Sequence, residues 1–183
     1  MPVNASPASQ KSRTTEGTPP RRAETIAGRA PLRRQMFLFA VAAAAFLLDR
    51  ASKALVQRYL PLDAPRPVVG RLLYLTHTQN TGAAFSVGLS FGGFFLVLAA
   101  AISVAVVVYN RRLPPEELLL RVGLGMILGG ALGNALDRAV AGSVTDFIDL
   151  RWWPVFNVAD SCIVVGAVIS AARLTARDQG RRA

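Results

Sequence analysis

Residues 123–166 read GLGMILGGALGNALDRAVAGSVTDFIDLRWWPVFNVADSCIVVG, and they decide the fold because four aspartates stand in or beside runs that are otherwise apolar. An ionisable side chain at bilayer depth costs about 2.5–3.5 kcal/mol on insertion scales, so such residues face a bundle interior or a wet cavity and act there. Asp137, Asp146, Asp149 and Asp160 are therefore the candidate functional set, and the rest of the chain reads as their scaffold.

The whole composition agrees with a membrane setting: of 183 residues, 52% are hydrophobic and only 17% charged. The net charge of +10 does not point to nucleic acid, because the basic residues lie between and outside apolar spans rather than in a stripe with interleaved aromatics. A single cysteine, Cys162, excludes an intrachain disulfide and a Cys-rich metal site. It reads as a small packing residue, since the only histidine, His77, is far away in sequence.

Residues 1–33 are rich in Ser, Thr, Pro, Ala and Arg and are expected to form a disordered basic tail. The apolar run 36–48 is too short alone to cross about 30 Å of hydrocarbon, which leaves a cleaved signal peptide as the alternative. Against that, the run passes into DRASKALVQRYL, with Asp49 and Lys53 four apart in the acid-first order that pairs on one helical face. One uncleaved helix from about 34 to 59 is expected, closed by Pro61, Pro65 and Pro67.

The next segment, VVGRLLYLTHTQNTGAAFSV, is rich in β-branched and aromatic residues and predicts short strands, with a hairpin turn at Asn80-Thr81-Gly82 and His77 as decoration. Lipid-exposed sheet edges are not viable, so these strands should lie outside the membrane or under the bundle. Residues 91–109 form a second apolar span. Pro114-Pro115 predict the start of a third, with Glu116 and Glu117 in its first turn. Gly125, Gly129 and Gly133 make a smooth face on the third span, and Cys162, Gly166 and Ser170 make one on a fourth from about 154 to 174. Close packing of these two helices is expected. Most Lys and Arg fall in the tail, the 110–121 loop and the C-terminal end, so the positive-inside rule puts both termini in the cytoplasm. Trp152 and Trp153 then mark the opposite interface, flanked by Asp146 and Asp160.

Two carboxylates held together cannot both ionise readily, so one keeps a proton while the other stays a base. Such a pair activates water and protonates a leaving group without a metal, thiol or serine, and the chain holds no HExxH, GxSxG or Cys/His cluster. Asp160 lies one turn into the fourth helix with Asn157 three residues earlier; a helix cap is the alternative role for that aspartate. Asp137 beside Arg138 reads as a local ion pair. A small transporter using its carboxylates to bind protons or cations is the competing class, but its cue of broken helices in two matching halves is missing. A purely structural subunit would leave the aspartates replaceable.

Five ordered blocks carry a resemblance: Asp49 with Lys53; Asn80-Thr81-Gly82-Ala83-Ala84-Phe85; Gly133-Asn134 with Asp137-Arg138; Val144-Thr145-Asp146-Phe147; and Phe156-Asn157-Val158-Ala159-Asp160-Ser161. Over roughly residues 36–176 the chain resembles the lipoprotein signal peptidases, the signal peptidase II family. The resemblance implies that Asp146 and Asp160 are catalytic. It implies that Asn80, Gly82, Asn134, Arg138 and Asn157 bind substrate or support the site, with Asp49, Lys53 and Asp137 structural. It further implies an all-α membrane protein: four transmembrane helices, a small extracytoplasmic β-cradle and both termini cytoplasmic. A four-helix peptidase domain would span 34–176, between the basic tail 1–33 and a second, cytoplasmic one at 177–183. The implied reaction is hydrolysis before the diacylglyceryl-modified cysteine of a prolipoprotein, with the site at the extracytoplasmic surface of the bacterial cytoplasmic membrane. No metal or cofactor is expected, and the implied partners are prolipoprotein and membrane lipid, not nucleic acid. The oligomeric state stays open, a monomer being compatible. Two features depart from the family pattern: Arg50, where Gln is common, and the long basic tail.

Overall fold

A computed structural model describes residues 21–82 and 91–182. The elements follow in the order α1 (Arg21–Tyr59), β1 (Arg66–Val69), β2 (Leu73–Asn80), α2 (Phe91–Arg112), α3 (Leu118–Ala141), β3 (Val144–Asp149) and α4 (Val158–Arg182). Among the described residues, three helices are long and apolar enough to cross a membrane: Gly93–Arg112, Leu118–Ala141 and Val158–Gly180, of 20, 24 and 23 residues with mean hydropathy 2.2, 1.5 and 1.6. At about 1.5 Å per residue, 20 residues span about 30 Å.

The bundle buries many polar side chains and exposes many apolar ones. Phe94, Val97 and Val104 on α2, Leu47 and Leu55 on α1, and Val164 and Val168 on α4 are exposed, whereas Arg121, Lys53, Asn157, Asp49 and Asp146 are among the largest fully buried side chains. Lipid rather than water suits that outer surface, since apolar side chains lose nothing by facing hydrocarbon. An apolar core of Leu38, Ala42, Val106, Leu120, Leu124 and Leu128 joins α1, α2 and α3 at the end of the bundle away from the sheet.

Helix α3 is the central element, and its glycines explain how. The Gly125, Gly129, Gly133 face expected to meet the fourth helix packs on α1 instead. A Cβ at Gly129 would lie 2.3 Å from the Ala42 carbonyl oxygen, and one at Gly133 would lie 2.5 Å from Asp49 Oδ2. The α4 contact uses Gly123 and Gly130, seven apart and so two turns along another face; a Cβ at Gly130 would lie 2.4 Å from the Ala159 carbonyl oxygen. Of the small residues expected on α4, Gly166 and Ser170 do meet α3, both at Gly123.

Four boundaries differ from the sequence reading. Helix α1 begins at Arg21 rather than about residue 34, because the Arg, Ala and Glu residues there are good helix formers that hydropathy does not register; residues 1–20 of the expected tail lie outside the described residues. Helix α3 begins at Leu118, not at the prolines. The buried Arg121 guanidinium donates to the carbonyls of Leu113, Pro114 and Pro115 at 2.9–3.0 Å and holds them as a loop. Glu117 pairs with Arg173 of α4 at 2.9 Å rather than meeting the helix dipole from a first turn. Helix α4 begins at Val158 and runs to Arg182, through the stretch set apart as a second tail.

The three strands form one antiparallel sheet in the order β1-β2-β3. Short strands are expected between residues 68 and 87; β3 comes instead from the aspartate block itself and pairs Asp146 with Thr78 and Val144 with Asn80. At Asn80, β2 pairs with Val144 of β3, and the return limb of the expected hairpin turn at Asn80-Thr81-Gly82, with the block's Ala83-Ala84-Phe85, lies outside the described residues. His77 is buried, not decorative. Its Nδ1 donates to the Leu60 carbonyl at 3.0 Å and ties β2 to the end of α1.

Candidate active site

Asp146 and Asp160 arrive from different elements, β3 and the first turn of α4, and meet at Asn157. Asn157 precedes α4 and acts as its cap: its Oδ1 accepts from the Asp160 backbone N–H at 2.9 Å, while Asp160 Oδ2 accepts from the Asn157 backbone N–H at 3.2 Å. This reciprocal pair is a capping box with Asp in the third position, so the cap role considered for Asp160 is real. The Asn157 Nδ2 group is then free to turn away from the helix. It donates to Asp146 Oδ1 at 2.6 Å and to Asn134 Oδ1 at 3.1 Å.

Two more asparagines complete the ring of donors. Asn80 Nδ2 donates to Asp146 Oδ2 at 3.0 Å, and Asn134 Nδ2 donates to Asp160 Oδ1 at 2.8 Å. An amide could equally present its oxygen, which would repel a carboxylate, so something must fix each flip. At Asn80 the fixing group is the Gly82 backbone N–H, which donates to Asn80 Oδ1 at 2.9 Å; Gly82 has φ +74°, a left-handed conformation that glycine adopts freely. At Asn157 it is the Asp160 N–H. At Asn134 it is Lys53.

Lys53 is fully buried on α1, and its ammonium meets Asp49 Oδ2 at 2.8 Å, Asp137 Oδ2 at 2.8 Å and Asn134 Oδ1 at 2.9 Å. The expected Asp49–Lys53 pair therefore forms, and extends further than its spacing tells. Asp49 Oδ1 also accepts from the Ala159 backbone N–H at 3.0 Å, so α1 caps the start of α4. The expected Asp137–Arg138 pair does not form. Successive helical residues point about 100° apart, and Asp137 faces α1, where Arg50 joins Lys53 on its carboxylate. Arg138 faces the opposite way, 4.4 Å above the Phe95 ring.

Burial, aided by the negative charge of Asp160, pushes the Asp146 carboxyl up to about 6 against the opposing hydrogen bonds from Asn80 and Asn157. Asp149 behaves differently. Burial raises its carboxyl, but hydrogen bonds from Thr76 at 2.8 Å and from the backbone and side chain of Arg151 outweigh that and hold it below the usual range. It pins the end of β3 rather than joining the pair.

Two cavities open on either side of Asp160. One, of about 400 Å³, is walled by Trp152, Trp153, Phe156, Val164 and Val165; the other, of about 190 Å³, lies between α2 and the α3–α4 pair and is lined by Phe95, Asn134 and Arg138. The first is almost wholly apolar in its side chains, so an acyl or apolar peptide group can lie against a carboxylate there.

Two carboxylates held together where a membrane bundle meets a small sheet are the side-chain pair that the class of aspartic peptidases uses. Comparison with known proteins narrows this. Residues 41–176 match the family model described as Signal peptidase (SPase) II, and the chain belongs to that family of aspartic peptidases. It is 40% identical over 136 residues to the lipoprotein signal peptidase of Moorella thermoacetica, covering 73% of this chain and 91% of that one. It is 43% identical over 136 residues to that of Pelotomaculum thermopropionicum, covering 74% and 90%. A solved bacterial membrane enzyme, determined by the in meso method at 1.9 Å resolution, superposes with a TM-score of 0.71 at 27% identity, over 75% of this chain and 91% of that one.

Proposed function

We propose that this chain removes the signal peptide from prolipoproteins by cleaving the peptide bond before a diacylglyceryl-modified cysteine, with Asp146 and Asp160 as the catalytic dyad. The observation that carries the reading is Asn157, whose one amide and one backbone N–H hold both carboxylates beside an apolar cavity. The pair shares one proton. The carboxylate takes a proton from water as the water oxygen bonds to the scissile carbonyl carbon, and the carboxyl partner donates its proton to the carbonyl oxygen. As the tetrahedral species collapses, the C–N bond breaks and the dyad returns a proton to the leaving amine of the lipidated cysteine. One hydroxyl of the tetrahedral species gives its proton to the dyad as the C=O re-forms, so the signal peptide leaves as the carboxylic acid and the dyad regains its single proton.

Asn80, Gly82, Asn134 and Asn157 hold the carboxylates in place, Arg138 adds positive charge on the second cavity, and Asp49, Lys53 and Asp137 join α1 to α3. In this reading α1 is a fourth crossing, both termini are cytoplasmic, and residues 34–176 form the peptidase domain. Trp152 and Trp153, exposed and edge-to-face with centroids 5.9 Å apart, sit at the extracytoplasmic interface of the bacterial cytoplasmic membrane. The acyl chains of the substrate stay in the bilayer while the peptide reaches the dyad. Incubating purified protein with a lipidated prolipoprotein and with its unlipidated form tests this. Release of a signal peptide from the lipidated form alone supports it, and equal cleavage of both contradicts it.

A further inference from the structure

We infer that Lys53 is a positioning residue for the reaction, acting on Asp160 through Asn134. This rests on the reading of Asp160 as catalytic. The ammonium is a group that only donates, and its three nearest acceptors come from two helices: Asp49 on its own α1, and Asp137 and Asn134 on α3. Two carboxylates would satisfy its charge without any amide. The contact to Asn134 Oδ1 at 2.9 Å thus does something further: it forces the other end of that amide, Nδ2, toward Asp160 Oδ1 at 2.8 Å. Asn157 Nδ2 also reaches Asn134 Oδ1, at a longer 3.1 Å, but it divides its donation with Asp146 at 2.6 Å. Without Lys53, Asn134 loses its closest donor and its amide is freer to turn its oxygen toward the Asp160 carboxylate.

The surrounding charges supply a way to separate this role from a structural one. Lys53 and Arg50 face Asp49 and Asp137. Removing Lys53 alone leaves a buried carboxylate uncompensated, which destabilises the bundle whatever its effect on catalysis. Removing Lys53 and Asp49 together restores neutrality, with Arg50 still on Asp137. In the variant Lys53→Met/Asp49→Asn, the Asn oxygen also keeps the acceptor for the Ala159 N–H.

The test compares wild type, Lys53→Met, Lys53→Met/Asp49→Asn, Asn134→Ala, Lys53→Met/Asp49→Asn/Asn134→Ala and Asp160→Asn as full chains in detergent, with lipidated prolipoprotein as substrate. Thermal midpoint, kcat and KM are measured for each. The charge-balanced double variant is expected to regain most of the thermal midpoint lost in Lys53→Met, yet to stay about 10- to 100-fold below wild type in kcat with KM nearly unchanged, the cost of a slightly misplaced group. Adding it to Asn134→Ala is expected to cause no further loss of kcat, because both act through one amide. Recovery of kcat together with the thermal midpoint, or multiplicative losses with Asn134→Ala, overturns the inference and leaves Lys53 a structural residue. Full activity in a folded Asp160→Asn instead overturns the catalytic reading on which it stands.

Discussion

Asn157 donates from Nδ2 to Asp146 Oδ1 at 2.6 Å while its Oδ1 accepts from the Asp160 backbone N–H at 2.9 Å, so one side chain makes both a helix cap and a contact to the proposed catalytic pair. Asn157→Ala removes both. The lost cap costs about 1 kcal/mol, a fall of about 2–4 °C in thermal midpoint for a chain of this size. Turnover should fall far more, about 100-fold or beyond, because Asp146 loses its shortest donor and Asn134 one of the two groups that orient it. Differential scanning fluorimetry beside the cleavage assay checks the two effects separately.

The raised Asp146 carboxyl makes a prediction about stability and pH. Its folded value of about 6 lies above the ordinary 3.8, so between these values the folded chain holds a proton that the unfolded chain has released. Stability from this group is thus fully present below about pH 4 and is lost as pH rises toward 6. Asp146→Asn cannot titrate. The thermal midpoint of the variant minus that of wild type should climb between pH 4 and 6 and level off above. A flat difference across that range would show that burial does not perturb Asp146.

Gly133 leaves room for the Asp49 carboxylate, since an added Cβ would come within 2.5 Å of Asp49 Oδ2. Gly133→Ala should therefore destabilise the protein by about 1–3 kcal/mol through overpacking. Gly180→Ala, with nothing within 4 Å of its Cβ, should leave the thermal midpoint unchanged or slightly higher. Equal midpoints for the two variants would mean that α1 moves away from α3 at little cost.

Which parts of this arrangement could be read from the sequence follows from the range of the interactions. The Asp49–Lys53 spacing was legible because i,i+4 neighbours meet on any helix, and the five spaced blocks marked Asp146, Asp160 and the asparagines. The reach of Lys53 to Asn134, 81 residues away, was not legible, because it depends on the packing of α1 against α3. The same limit misassigned two features. Adjacency in sequence suggested an Asp137–Arg138 pair, although a helix turns the two apart. The glycines at 125, 129 and 133 announced a close contact without saying which helix supplies it. Strand β3 was missed because six residues between two helices carry too little periodicity, and its pairing partner is distant.

Because the family match begins at residue 41, removing residues 1–20 should spare turnover of the folded enzyme. Yield in membranes is free to fall with the lost positive charge. Cleavage by the truncated, purified chain at a rate within about twofold of the full one is the expected result; loss of most turnover would make the tail part of the site.

The central claim is that Asp146 and Asp160 act as one unit, and the most direct measurement is signal-peptide release from a lipidated prolipoprotein by Asp146→Asn, Asp160→Asn and the double variant. Asn keeps the shape of Asp but cannot exchange its proton. Each single variant should remain folded and lose about a thousandfold or more in turnover, and the double variant should be little worse than either. Asp149→Asn, away from the pair, should keep most of its activity. Substantial turnover in a folded Asp146→Asn or Asp160→Asn protein would contradict the dyad.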